Sequence, residues 1–219
     1  AILYAFGASF LAWDFVMTLD QEWFSTLFGV FFIIGNMHAF LALMLVISVS
    51  VRDSFGIEEY ITINRLHDLA KLVFAFSLLW AYMGYSQYLV IWYADLPEET
   101  PYLVIRSMEQ PWALMFLLII IAVFAIPFLG LLPKTFCRIP NYIRAMGIWV
   151  VISQWFVIYL MVVPSLQDFG HYHVDMGLHE LLITLGFVGI FFLSYFTFLG
   201  KVPILPISDK HLCRSWHGH

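Results

Sequence analysis

Apolar positions in this chain come in long unbroken runs, and polar positions collect in the short stretches between them. Five windows, roughly 27–51, 69–93, 112–132, 145–164 and 180–200, are apolar throughout or nearly so. Each reaches the length of about 20 residues that a helix needs to cross hydrocarbon. A sixth, about 1–18, is equally apolar but is interrupted by Asp14. A buried strand is far shorter, and the strict alternation of a barrel strand is missing. A helix is also the one open-ended structure that satisfies its own backbone in lipid. The pattern therefore predicts an all-α fold: an integral membrane bundle of six spans over residues 1–200, followed by a polar tail, 201–219.

Composition sharpens the picture. Hydrophobic residues make up 62% of the chain and charged residues 11%, where a soluble domain is about half apolar and a quarter charged. A net charge of −5 argues against a nucleic-acid partner. Loop 52–71 carries Arg52, Arg65 and Lys71, loop 133–144 carries Lys134, Arg138 and Arg144, and the final stretch carries Lys201, Lys210 and Arg214. With Arg106 the exception, nine of the ten basic residues fall on one face. The positive-inside rule makes that face, and the C-terminus, cytoplasmic. Trp23, Trp92, Tyr93, Tyr102 and Trp112 gather near the opposite boundary and read as an aromatic belt. Pro127 predicts a kink in the fourth span, and Pro164 the end of the fifth. The opening stretch has no Met and no basic flank, and reads as a point partway along a longer polypeptide. Cys137 and Cys213 form no haem-attachment or iron–sulfur pattern and read as free thiols.

Ionisable groups in or near hydrocarbon are costly, so each is a candidate for function. His67, Asp68 and Lys71 stand at the start of the third span. On a helix His67 and Lys71 share a face, and Asp68 lies within reach of Lys71. Such a group is either an interfacial anchor or the mouth of a proton path, because histidine titrates near neutral pH. His38 falls mid-span, two residues after Asn36, and at that depth needs a partner on another helix. It reads as a packing hydrogen bond, a proton relay or a quinone contact. Asp14 is a rim carboxylate or a proton exit. Tyr82, Tyr85, Ser86, Gln87 and Tyr88 form a polar-aromatic patch on the third span, with Ser153, Gln154 and Tyr159 of the fifth facing the same interior. Interhelical hydrogen bonding is the usual work of such groups, although a quinone ring also wants an apolar slot with a few donors. His171, His173, Asp175, His179 and Glu180 make a loose metal-like cluster that falls short of any zinc signature. With His38 alone at mid-span depth, a haem held between paired histidines is not expected.

Three stretches carry a family likeness: "FVMTLDQEWFSTLFGVFF" (15–32), "HDLAKLVFAFSLLWAYMGYSQYLVIWYADLPEET" (67–100) and "VPILPISDKHL" (202–212). They resemble the C-terminal half of the ActF-type, NrfD-like (polysulfide-reductase-type) membrane subunits of bacterial alternative complex III. The resemblance implies a quinol:electron-acceptor oxidoreductase of the bacterial inner membrane. In such a complex electrons pass from quinol or menaquinol through iron–sulfur and haem c subunits to a cytochrome or an attached haem-copper oxidase. It implies an NrfD-like paralogue and lipids as further partners, and no tightly bound cofactor in this chain. His67, Asp68 and Lys71 match the family's His-Asp-x-x-Lys pattern and become a cytoplasmic proton mouth, with Asp14 the outer exit. His38 and the outer histidine cluster lie outside the likeness. The family's subunits have about twice as many spans, in keeping with a longer chain.

The expected function is thus a membrane subunit that conducts protons past His67, Asp68, Lys71, His38, Tyr82 and Ser86 towards Asp14, driven by quinol oxidation in a partner. Two alternatives stand beside it. A scaffold would show Asp68 paired locally to Lys71. A secondary transporter would show broken helices around a central cavity.

Overall fold

The computed structural model describes residues 2–167 and 177–201. Among them are six helical segments long and apolar enough to cross a membrane, and no strand. The protein is an all-helical, multi-pass membrane protein. Its chain falls into two compact units, Ala1–His173 and Val174–His219. In the second, α8 (Leu178–Leu199) is a single apolar span whose first turn places Glu180 at the positive end of the helix dipole.

In the first unit, α1 (Ile2–Leu11) continues through a π-turn and a short 3₁₀ turn to Leu19. α2 (Thr26–Phe55) ends where Gly56 takes the left-handed conformation (φ 63°) that closes a helix without a Cβ penalty. α3 (Ile63–Ala94) begins several residues ahead of its apolar window, so His67, Asp68 and Lys71 lie on the helix itself. The short α4 (Thr100–Ser107) lies between the third and fourth spans, a helix that hydropathy alone does not announce. α5 (Trp112–Ile120), a π-turn (Ile121–Ala125) and α6 (Ile126–Leu131) make one span. α7 (Pro140–Val162) starts on a proline, whose missing N–H costs nothing there, and runs out through a 3₁₀ turn, Val163–Leu166.

The kink expected at Pro127 takes the form of that π-turn. A proline cannot donate to the carbonyl one turn back and its ring crowds it. Here the N–H of Ile126 bonds back to Ile121 O, five residues away. That shift leaves Ala122 O with Pro127 as its next partner in the register, and Pro127 has no N–H. The indole N–H of Trp149 on α7 donates to Ala122 O instead, at 2.9 Å. Trp149→Phe keeps the ring and removes the donor. It is expected to destabilise the protein by about 1–2 kcal/mol, since an unpaired backbone carbonyl is costly. Thermal unfolding in detergent reads this directly.

α2 packs along both α3 and α7 and is the central rod. Two apolar clusters fill the unit. One gathers Trp23, Phe28, Phe31, Trp80, Trp112 and Tyr159, and defines an aromatic end. The other gathers Val49, Leu66, Ala70, Cys137 and Ile143, and defines an end flanked by Arg52, Lys134 and Arg138. The expected aromatic belt divides accordingly. Trp92 and Tyr93 face outward, whereas Trp23 and Trp112 are buried and Tyr102 is stacked inside. The gap between spans is filled by α4, so these rings have a protein surface to cover and pack there rather than at the headgroups.

Candidate functional site

A cavity of about 470 Å³ opens within the aromatic end, between α2, α3, α4, α5 and α7. Its walls are Phe28 and Phe31 of α2, Trp80 to Ile91 of α3, Phe116 and Ile119 of α5, and Val157 to Met161 of α7. The polar groups that reach it are few: Tyr85, Gln87 and Tyr88 on α3, and Tyr102 and Arg106 on α4. This is the composition of a ligand chamber, mainly apolar and aromatic with a small set of donors that fix orientation. Gly84 also lines it, and a Cβ there would meet the Phe31 ring at 3.4 Å, so the missing side chain widens the chamber.

Arg106 is the group that sequence reasoning passed over. It entered only as the basic residue on the wrong face, yet it is buried to 4% exposure. Its Nε donates to Leu160 O at 3.1 Å and its Nη2 to Met161 O at 3.0 Å and Ser165 Oγ at 2.6 Å. Nη1 donates to Tyr102 O at 2.9 Å. The reason lies in Pro164. A helix carbonyl normally receives the N–H four residues on, and for Leu160 that residue is a proline. The guanidinium fork replaces the missing donor and sets a cation at the negative end of the α7 dipole. Its Cζ also lies over the Tyr102 ring, 3.5 Å from the ring centre. Trp23 stacks on the ring of Tyr102 at 3.6 Å, nearly parallel. Burial holds the Tyr102 phenol above its ordinary range, against the pull of Arg106. A Pro-terminated span and a lone arginine in the short segment before its neighbour were the only signals available.

Behind the chamber wall lies His38. It is fully buried between the two apolar clusters, with its Nδ1 3.0 Å from Nε2 of Gln154 on α7. The partner that a mid-span imidazole requires is thus present. Its Nε2 and the indole nitrogen of Trp80 have no protein partner. Ser77 and Ser153 are also buried, but each hydroxyl donates to its own helix, to Phe74 O and Trp149 O, both at 2.8 Å.

The remaining candidates are not brought together. Asp68 pairs with Lys71 at 2.9 Å, and both side chains are well exposed, 70% and 63%. His67 is mostly buried, with Nδ1 3.9 Å from Asp68. Asp14 sits in the π-turn of the first span and faces outward. Tyr82 is 64% exposed, and Ser86 donates to Tyr82 O at 2.8 Å. Tyr82 and Tyr85, three apart on one side of α3, are about equally exposed, 64% and 61%, but of the two only Tyr85 lines the chamber, with Tyr88. Among the described residues, then, no polar row joins Asp68 to Asp14 through Tyr82 and Ser86. Nor do any three His, Cys, Asp or Glu side chains converge among them. His171, His173 and Asp175 lie outside the described residues, as does most of the tail. Compared with known proteins, the chain matches no family model, and no curated protein matches it.

Proposed function

We propose that this chain is a membrane subunit of a bacterial respiratory complex of the alternative complex III kind, and that its chamber takes the ring of a quinol or menaquinol. The chamber carries the reading: about 470 Å³ of aromatic-walled space inside a membrane protein, with tyrosine and arginine groups at its margin. A quinol is a flat apolar ring with two oxygens and a long tail, and lipid delivers it. Tyr85, Tyr88 and Gln87 supply hydrogen bonds, and Arg106 supplies a fixed positive charge in the wall. In this reading the iron–sulfur and haem c centres belong to partner subunits, beside an NrfD-like paralogue and, in some assemblies, a haem-copper oxidase. The complex sits in the inner membrane with the basic face and the C-terminus cytoplasmic. His38, paired to Gln154 behind Trp80, is the interior group available for proton handling.

A photoreactive quinone analogue tests the chamber. In the purified complex it is expected to label peptides of α3 and α4, and Gly84→Leu is expected to cut that labelling at least severalfold by filling the space. Labelling confined to another subunit would overturn the assignment. A second reading, a scaffold at the other end, is favoured by the local Asp68–Lys71 pair. On that reading the proton-to-electron ratio of the reconstituted complex stays the same in Asp68→Asn and Asp14→Asn. A drop in either variant restores the doorway as a proton mouth.

A further inference from the structure

At the basic end, the turn over residues 133–138 is pinned against the start of α3. Cys137 is buried, 2% exposed, in one cluster with Leu66 and Ala70, and its thiol donates to Leu131 O at 3.1 Å. Fixing Cys137 fixes its neighbours. Lys134 and Arg138 stand exposed on either side of it, close enough to His67 for their charges, with that of Lys71, to act on the ring. Lys134 and Arg138 therefore share one small surface with the His67 imidazole. The one carboxylate acting on the same ring, Asp68, is already engaged by Lys71 at 2.9 Å. The surface is also apolar on one side: Leu132 is 60% exposed and Phe136 49%.

Like charges held this close repel, and a fold that fixes them together gains most from a bound anion. The setting decides which anion. The cluster lies where a span begins, and exposed apolar side chains adjoin it. A free phosphate ion makes no use of Leu132 and Phe136. A phospholipid uses both halves, and basic pockets between spans are known headgroup sites. We infer that the 133–138 turn, where it packs on the first turns of α3, forms a site for an anionic phospholipid, its phosphate on Lys134 and Arg138 and an acyl chain along Leu132 and Phe136. The site is independent of the quinol chamber, which lies at the other end of the bundle.

Native mass spectrometry of the detergent-purified protein, titrated with phosphatidylglycerol or phosphatidylcholine, reads the site. Phosphatidylglycerol is expected to be retained preferentially. Near a surface each basic residue contributes roughly fivefold to anionic-lipid affinity, so Lys134→Gln/Arg138→Gln is expected to lose about 25-fold. Arg144→Gln, whose side chain pairs with Asp53 at 3.3 Å, is expected to leave retention unchanged. The unmodified protein gives a second reading free of folding effects: raising salt weakens phosphatidylglycerol retention and spares phosphatidylcholine. Equal retention of both lipids, or salt-insensitive retention, overturns the proposal. So does displacement by millimolar inorganic phosphate, which would make the site one for the free ion.

Discussion

Arg106→Leu is expected to destabilise the protein by about 3–5 kcal/mol, the range seen when one side of a buried, charge-assisted contact is removed. Leucine fills much of the volume but brings no donors. The carbonyls of Leu160 and Met161 then lose their side-chain donor, and the Tyr102 ring loses the cation on its face. Arg106→Lys separates the contributions. An ammonium keeps the charge at the α7 terminus but cannot span three carbonyls as a planar fork does. Lysine is therefore expected to fall between wild type and leucine in thermal unfolding. A Lys variant as damaged as Leu would mean that geometry alone matters. A Leu variant as stable as wild type would sink the account of how α7 ends.

Arg106 and Trp149 illustrate one rule. Each reaches from one element to a carbonyl that a proline has left without its donor: Leu160 before Pro164, Ala122 before Pro127. In water such a carbonyl would find solvent. In a bundle it needs a side chain from a neighbour, because an unsatisfied group in hydrocarbon costs several kcal/mol. Both prolines were visible in the sequence, as was the disturbance each would cause. The residues that repair it were not, because they are 27 and 54 positions from the carbonyls they serve and follow from helix packing alone.

The same boundary runs through the rest of the candidate site. Span number and position were legible because hydrophobic length is a property of consecutive residues. His38 announced that it needed a partner, and Gln154 was among the polar groups of the fifth span expected to face inward. The outward side of Tyr82 was not legible, because a polar residue on a span says nothing about which way the helix is turned. Trp23 and Trp112 misled: an indole near a membrane boundary serves a headgroup belt or a protein seam equally well. Asp68 and Lys71 kept both of their readings, and their local pair favours the anchor.

The contact that orients His38 towards Gln154 makes the last prediction. α2 and α7 approach closely where Gly147 faces Ala42 and Val46. A Cβ on Gly147 would lie 2.8 Å from Val46 Cγ2 and 2.9 Å from the carbonyl oxygen of Ala42. A side-chain methyl can turn aside, but a helical carbonyl oxygen cannot, so Gly147→Ala must push the two helices apart. Overpacking of this kind costs about 1–3 kcal/mol. Gly130→Ala is the informative control. Its Cβ would meet Met146 Cε at 2.8 Å, the far end of a flexible side chain, and Tyr142 Oη at 3.0 Å, a hydroxyl that donates to Gly130 O. It is expected to cost less than about 1 kcal/mol, because methionine adapts readily. The functional consequence follows from helix geometry. Gln154 lies two turns beyond Gly147 on α7, and His38 one turn beyond Ala42 in the opposite sense on α2. Separating the helices at Gly147 therefore lengthens the 3.0 Å His38–Gln154 contact. Imidazole chemical shifts of His38 are expected to move in Gly147→Ala and to hold in Gly130→Ala. If both variants unfold alike and leave the imidazole unchanged, the close approach is not what sets that pair.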